Sequence, residues 1–438
     1  MRWFRQILLG VAAFCALAVM FMDRCALACP FCDAPTLLMS EQIQQCDHLV
    51  LGRWISGTKP TGTLAGSSQF EILLVAKSRD DRFQTGQVIS LPFSVADAEG
   101  RHYALMGRDQ QLSYWHVPIE VSNAAWEYLA QLPAPDPEPA GQAKNLEFAV
   151  QYFEHPEASV ASDADAHFAA APYETIVLMR DKLPRELLAG WLIDPKIPPT
   201  RLGLYGLLLG LCGTEEDAAL MEQKIVRLES DFRLGIEGVM SGYLLIRGEP
   251  GLEVLEKTKM RADTPAVDAN GQTIKLPFSE TYAAMQALRF MWTYEPERIP
   301  RARLKASMRI LLERPELSDL VIADLSRWKD WEIQDRLMQM YDEEKFNVPS
   351  IRRAIVRFLF FCSQEKLVAD TATEPAAGSP ASGPSSPTAE QPASPATEPP
   401  SRSTAALSPA AIQAAANLAA LEQKDPRTVR EAKRYLIR

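Results

Sequence analysis

The apolar residues of this chain change rhythm twice. From residue 46 to 121 they come in short runs of strand-forming types. The runs 47–55, 69–75, 87–93, 102–106 and 114–119 make five candidate strands, with Gly86, Gly100 and Gly107 as punctuation. β-branched and aromatic residues fit a half-buried pleated surface, and Gly marks the turns. Five short strands after a Cys-rich start predict a small β-barrel of the OB type over 29–132. Asn123 caps a short helix, 124–132, and the Pro-rich stretch 133–142 reads as a linker.

From 143 to 369 the period is helical. Residues 203–212 read as a helix stopped by Gly213, and Thr214 caps the next with Glu215, Glu216 and Asp217 in its first turn. The figure returns 35 residues on, so that Gly203 matches Gly238, Gly213 matches Gly248 and Leu220 matches Leu255. Weaker copies follow at 283–292, 320–340 and 351–361. Paired helices at this period predict an α-helical repeat solenoid. Asp268, Ala269, Asn270 and Gly271 read as a hairpin turn inside an insertion. The stretch 370–408 is mostly Pro, Ala, Ser and Thr, which buries too little to fold, and reads as a disordered tether. Beyond it, Ser408-Pro409 and Asp425-Pro426 start two helices, a hairpin over 409–438. The hairpin has little core of its own, and the tether is expected to let it reach a second site. The fold class expected is therefore α+β and multidomain.

The front of the chain changes this picture. Arg2 and Arg5 precede an apolar run, 7–22, and then Ala26-Leu27-Ala28. This series reads as a signal peptide, 1–28, with a mature chain starting at Cys29. An uncleaved membrane anchor and a lipidated Cys29 are the alternatives. Either way the protein is expected to be exported, to the periplasm or cell envelope. No later run approaches the ~20 apolar residues of a spanning helix. A net charge of -10 argues against general nucleic-acid binding.

Candidate chemistry gathers at the mature N-terminus. Cys29, Cys32 and Cys46 are close in sequence, and an oxidising compartment favours a disulfide from Cys46 to Cys29 or Cys32. With His48 they also make the ligand types of a structural zinc site. A Cys-x2-Cys pair can be a redox dithiol, although no βαβ unit follows this one. Asp163 and His167 stand at i and i+4, two ligands where a metal site needs a third, and read better as a capped or solvated helix start. Gly203, Gly206 and Gly210 read as close helix packing. Trp328, Trp331 and Tyr341 read as core or as a ligand shelf. Arg427, Arg430, Arg434 and Arg438 recur at helical spacing, a stripe for an anionic surface or a solvated face. There is no nucleophile elbow, no H-E-x-x-H and no dinucleotide loop. The expected role is that of a non-enzymatic interaction protein with a protein partner. The alternative is a metal-binding or thiol-redox module built on Cys29 and Cys32.

Three resemblances add to this reading. Over residues 29–91 the Asp47-to-Arg53 strand, the Phe70-to-Lys77 strand and the Gly86-to-Leu91 strand resemble netrin-like modules, including the tissue inhibitors of metalloproteinases. Those inhibitors begin with two Cys one residue apart, whereas here Pro30 and Phe31 separate Cys29 from Cys32. Residues 201–255 resemble HEAT-like repeats. The CPFC start at Cys29 and the helical IRRAIVRFL segment starting at Ile351 look like uncharacterised exported families of planctomycete-type bacteria. This last likeness implies a source and no activity.

Overall fold

The computed structural model describes residues 29, 31, 37–61, 66–95, 99–109, 114–228, 233–261, 263, 265–267, 271–366 and 407–434. The expected signal peptide, Cys32, most of the tether and Arg438 lie outside them. The chain is mixed α+β and gathers into two compact units, one running to about Arg301 and the other from Ala302 to the end.

The first unit begins with helix α1 (Met39–Gln45) and strands β1 (His48–Thr58), β2 (Ser67–Ser78), β3 (Val88–Leu91), β4 (His102–Arg108), β5 (Tyr114–Trp115) and β6 (Ile119–Glu120). All pairings are antiparallel, in the order β3-β2-β1-β4-β5, with β6 also on β4. The expected barrel is not closed. The strands at the two edges, β3 and β5, are four and two residues long and do not pair with each other. The sheet is instead buried on both faces by alternation along β1. Val50 faces a core with Phe70, Ile72, Tyr103, Leu105 and Trp115. Leu49 and Leu51 face a second core with Trp126, Tyr128 and Leu129 of helix α2 (Asn123–Gln131).

Helices follow: α3 (Pro139–Ala149), which starts inside the expected linker, α4 (Ala158–Ala170), α5 (Tyr173–Val177), α6 (Arg185–Ile193), α7 (Pro199–Cys212), α8 (Glu215–Val226), α9 (Ile236–Arg247), α10 (Glu249–Leu255) and, after a short hairpin, α11 (Phe278–Tyr294). The hairpin pairs β7 (Pro265–Val267) with β8 (Thr273–Lys275), while Asp268, Ala269 and Asn270 of the expected turn lie outside the described residues. Thr214 caps α8 as expected, with Asp217 completing a capping box, and Arg185 Nε donates to Asp217 at 2.7 Å. Of the glycines matched by the 35-residue offset, Gly203 and Gly238 meet in space, because α7 packs backbone to backbone on α9. A Cβ on Gly210 would lie 2.3 Å from the Gly242 Cα, and one on Gly238 2.1 Å from the Gly203 carbonyl oxygen. Only residues without a side chain permit that approach.

The second unit holds α12 (Arg301–Ile310), α13 (Ser318–Arg327), α14 (Gln334–Asp342), α15 (Pro349–Cys362), α16 (Pro409–Lys424) and α17 (Pro426–Lys433). Ser408 and Asp425 cap the last two through the Ala411 and Thr428 N–H groups, both at 3.1 Å. The C-terminal hairpin does not reach for a second site. It docks on this unit, with Ala411, Ala414, Leu421, Val429 and Ala432 buried. Gln334 Nε2 donates to the Ala410 carbonyl at 3.1 Å, Tyr341 Oη to Asp425 at 3.0 Å and Gln413 Nε2 to Asp335 at 2.8 Å. A backbone bridge joins Lys366 to Leu407. The apolar stripe that looked too small for a core finds the rest of that core on α14 and α15.

Candidate functional site

The residue types that look most chemical in the sequence are structural. Cys46 is a free, buried thiol, so the expected bond to Cys29 or Cys32 is not made at that end. Burial pushes the Cys46 thiol up in pKa, against a pull from Arg108. Cys29 is buried, and its N–H donates to the Ala169 carbonyl at 3.2 Å. Phe31, next to it, packs its ring 5.2 Å from Phe290 of α11. The CPFC start is thus laid against the helices of its unit at both described residues.

The expected zinc set does not converge. Cys46 belongs to the core on one face of the sheet, while His48 lies edge-on to Phe83 and 6.3 Å from Trp115 on the other. His48 Nδ1 accepts from the Arg79 N–H at 3.3 Å. Nε2 sits 2.9 Å from Asp109 Oδ2, off the line of a hydrogen bond but within ion-pair reach. Neither nitrogen is left for a metal. Among the described residues no group of three His, Cys, Asp or Glu could hold one.

Asp163 is buried rather than solvated, in the middle of α4. It accepts from Tyr128 Oη at 2.7 Å and from the Met39 N–H at 2.9 Å, and so caps α1 from a distant part of the chain. Burial raises its carboxyl, but His167, the Met39 N–H and Tyr128 together hold it below the usual carboxylate range. Lys259, Arg233 and Glu280 form a second buried knot, which nothing in their sequence spacing announced. Lys259 Nζ lies 2.7 Å from Glu280 Oε2, and Arg233 Nε 2.8 Å from Oε1. Burial lowers the Lys259 ammonium. It also raises the Glu280 carboxyl, which the two cations bring down below its ordinary value.

The second unit offers an open groove of ≈ 1170 Å³ lined by α13, α15, α17 and the residues around Trp331. It is built by helical spacing. Arg353, Arg357 and Phe361 recur every four residues on α15 and so share a face. The docked hairpin adds Glu431 and Arg434. Five basic side chains line the groove against three acidic ones, on a chain whose net charge is -10. Three of the five are answered: Arg327 by Asp324 at 2.8 Å, Lys329 by Glu365 at 2.9 Å and Arg353 by Glu431 at 3.7 Å. Among the described residues Arg357 and Arg434 have no ion pair, and Arg357 Nε is buried without a hydrogen-bond partner. The Trp331 indole N–H in the same groove is likewise buried and unpartnered. Its ring meets Phe358 edge-on at 5.1 Å, while Phe361 stays half exposed at 49%. A buried donor with no partner is costly, and two of them in one cleft can each take an acceptor from outside.

Of the expected aromatic shelf, Trp328 and Tyr341 are core, and Trp331 alone lines the groove. Of the basic stripe, Arg434 lines it, Arg427 pairs with Glu431 at 3.1 Å, and Arg430 Nε donates to the Pro426 carbonyl at 3.2 Å. The groove as a whole escaped the sequence reading, although Arg353 and Arg357 stood in the segment quoted for its family likeness. No helix among the described residues is long and apolar enough to cross a membrane. No family model matches the chain, and neither curated proteins nor solved structures supply a significant match.

Proposed function

We propose that this protein is an exported, non-enzymatic interaction protein of the cell envelope, whose second unit holds an anionic partner in the groove between α13, α15 and α17. The carrying observation is the pair Arg357 and Trp331, two buried donors without acceptors in one groove that also holds the unpaired Arg434. The helices, in this reading, are HEAT-like repeats that present an extended binding surface. The β module is an open relative of the OB or netrin-like design. The signal-like start supports export, with cleavage before Cys29. The alternative zinc set loses support, because Cys46 and His48 face different cores.

The test is affinity capture from envelope extract with the mature chain, 29–438, and its Arg357→Gln/Arg434→Gln variant. A partner retained by the wild type, released by added salt and lost from the variant is expected. Identical partners on both would overturn the groove as the site.

A further inference from the structure

Resting on the groove as a binding site, we infer that its ligand is an acidic stretch of polypeptide with apolar side chains between its carboxylates. The lining decides among anions. Arg357 and Arg434 are two separate cations, one on α15 and one at the end of α17. A guanidinium matches a carboxylate by paired N–H donors. Between and around them stand Asp319, Glu365 and Glu431. A polymer charged at every unit, such as polyphosphate, would press its charges on these carboxylates, whereas a peptide can place neutral residues there. Leu320 and Phe361, both exposed, offer contact to apolar side chains. The single Trp331 N–H suits one acceptor, such as a backbone carbonyl.

Size and field agree with this. The groove exceeds the ~300–1,000 Å³ of enclosed small-molecule pockets and is open, as an extended segment requires. A concave site is poorly matched to a flat anionic bilayer. The acidic remainder of the chain also repels any large, uniformly anionic surface and leaves the groove as a local cationic exception.

The experiment is a fluorescence-anisotropy titration with the mature chain. The main probe is a labelled ten-residue peptide alternating Glu with Leu and Phe. The others are its Gln-for-Glu twin, inorganic polyphosphate and phosphatidylglycerol vesicles. The acidic peptide is expected to bind, and its twin roughly tenfold or more weaker. Arg357→Gln and Arg434→Gln should each weaken the acidic peptide by about the same factor, with the thermal transition unchanged. Phe361→Ser, at an exposed position, should weaken both peptides alike. Arg427→Gln, one helical face away and already paired, should leave the titration where it was. Equal binding of the twin, or indifference to both arginines, overturns the inference. Polyphosphate or vesicles bound through the same arginines, with the peptide excluded, would overturn it and leave the interaction reading standing. A concentration-dependent dimer blocked by Arg357→Gln would replace the peptide by a second copy of this chain. Should no probe bind and no dimer form, this inference and the anionic-partner reading fall together.

Discussion

Two polar clusters, one in each unit, make a contrast. In the first unit Asp163 holds Tyr128 and the start of α1, and Glu280 binds two cations. In the second, Arg357 Nε and the Trp331 N–H line one open groove without a hydrogen-bond partner, beside Arg434. A His or Cys whose partners are all supplied is part of the scaffold, whatever its reactivity in isolation. An ordinary Arg or Trp left wanting is the better mark of a site. Substitutions in the first unit should therefore cost stability, and those in the groove should cost binding.

The largest expected effect is at the buried knot. Glu280→Gln leaves Lys259 and Arg233 buried without a counter-charge, which should cost about 3–5 kcal/mol in denaturant unfolding of the first unit. The pH sign follows. Glu280 is held below its ordinary 4.5, so its contribution is complete above that pH and fades as pH falls through the lowered value. Wild-type stability should decline on acidification below about pH 4.5, and the variant's acid limb should be flatter. An unchanged acid limb would mean that the knot is not charged.

Next comes the docking of the hairpin. Val429 is fully buried on α17, and Val429→Asp would place an unpaired carboxylate there, at a cost of at least about 3 kcal/mol. The α16–α17 hairpin should then become sensitive to protease, and peptide binding should fall with it, because Arg434 arrives on that helix. A hairpin that stayed protected in the variant would contradict its packing on α15. A somewhat smaller loss tests the α7–α9 contact. Gly210→Val drives side-chain atoms into Gly242 and should cost upwards of about 2 kcal/mol. Gly190→Ala, on α6 with open space around it, should instead stabilise by about 0.5–1 kcal/mol. Equal effects of the two would remove the close-packing reading.

What the sequence made legible follows from range. Strand alternation and the Thr214, Ser408 and Asp425 caps are local, and each has its counterpart in space, as has the match of Gly203 with Gly238. Closure of the sheet is not local. It depends on two edge strands of four and two residues, too short to complete a ring of pairings. The Glu280 knot joins residues 21 and 47 positions apart, and the groove joins α15 to a helix on the far side of the tether. No window of sequence contains such a set. The zinc expectation failed for a related reason. Cys46 and His48 are two residues apart, which in a regular strand would put them on one face, but Cys46 precedes β1, between helix and strand, and turns to the other core. Period-2 reasoning does not extend past the end of a strand.

The smallest effect divides the terminal arginines. At i and i+3 or i+7 along α17, Arg427, Arg430 and Arg434 look equivalent in sequence, yet only Arg434 lines the groove. Arg427 is 86% exposed and spends its charge on Glu431, one turn on. Such an exposed i,i+4 pair contributes about 0.3–0.5 kcal/mol, so Arg427→Ala should move the unfolding midpoint by no more than that. High salt should erase even this difference, because exposed charges are screened over about 8 Å at physiological ionic strength. Arg434→Ala should leave stability alone as well and yet reduce peptide binding. If the two substitutions acted alike in both measurements, the basic stripe would be one solvated face, and the distinction between answered and unanswered charge would fail where it is finest.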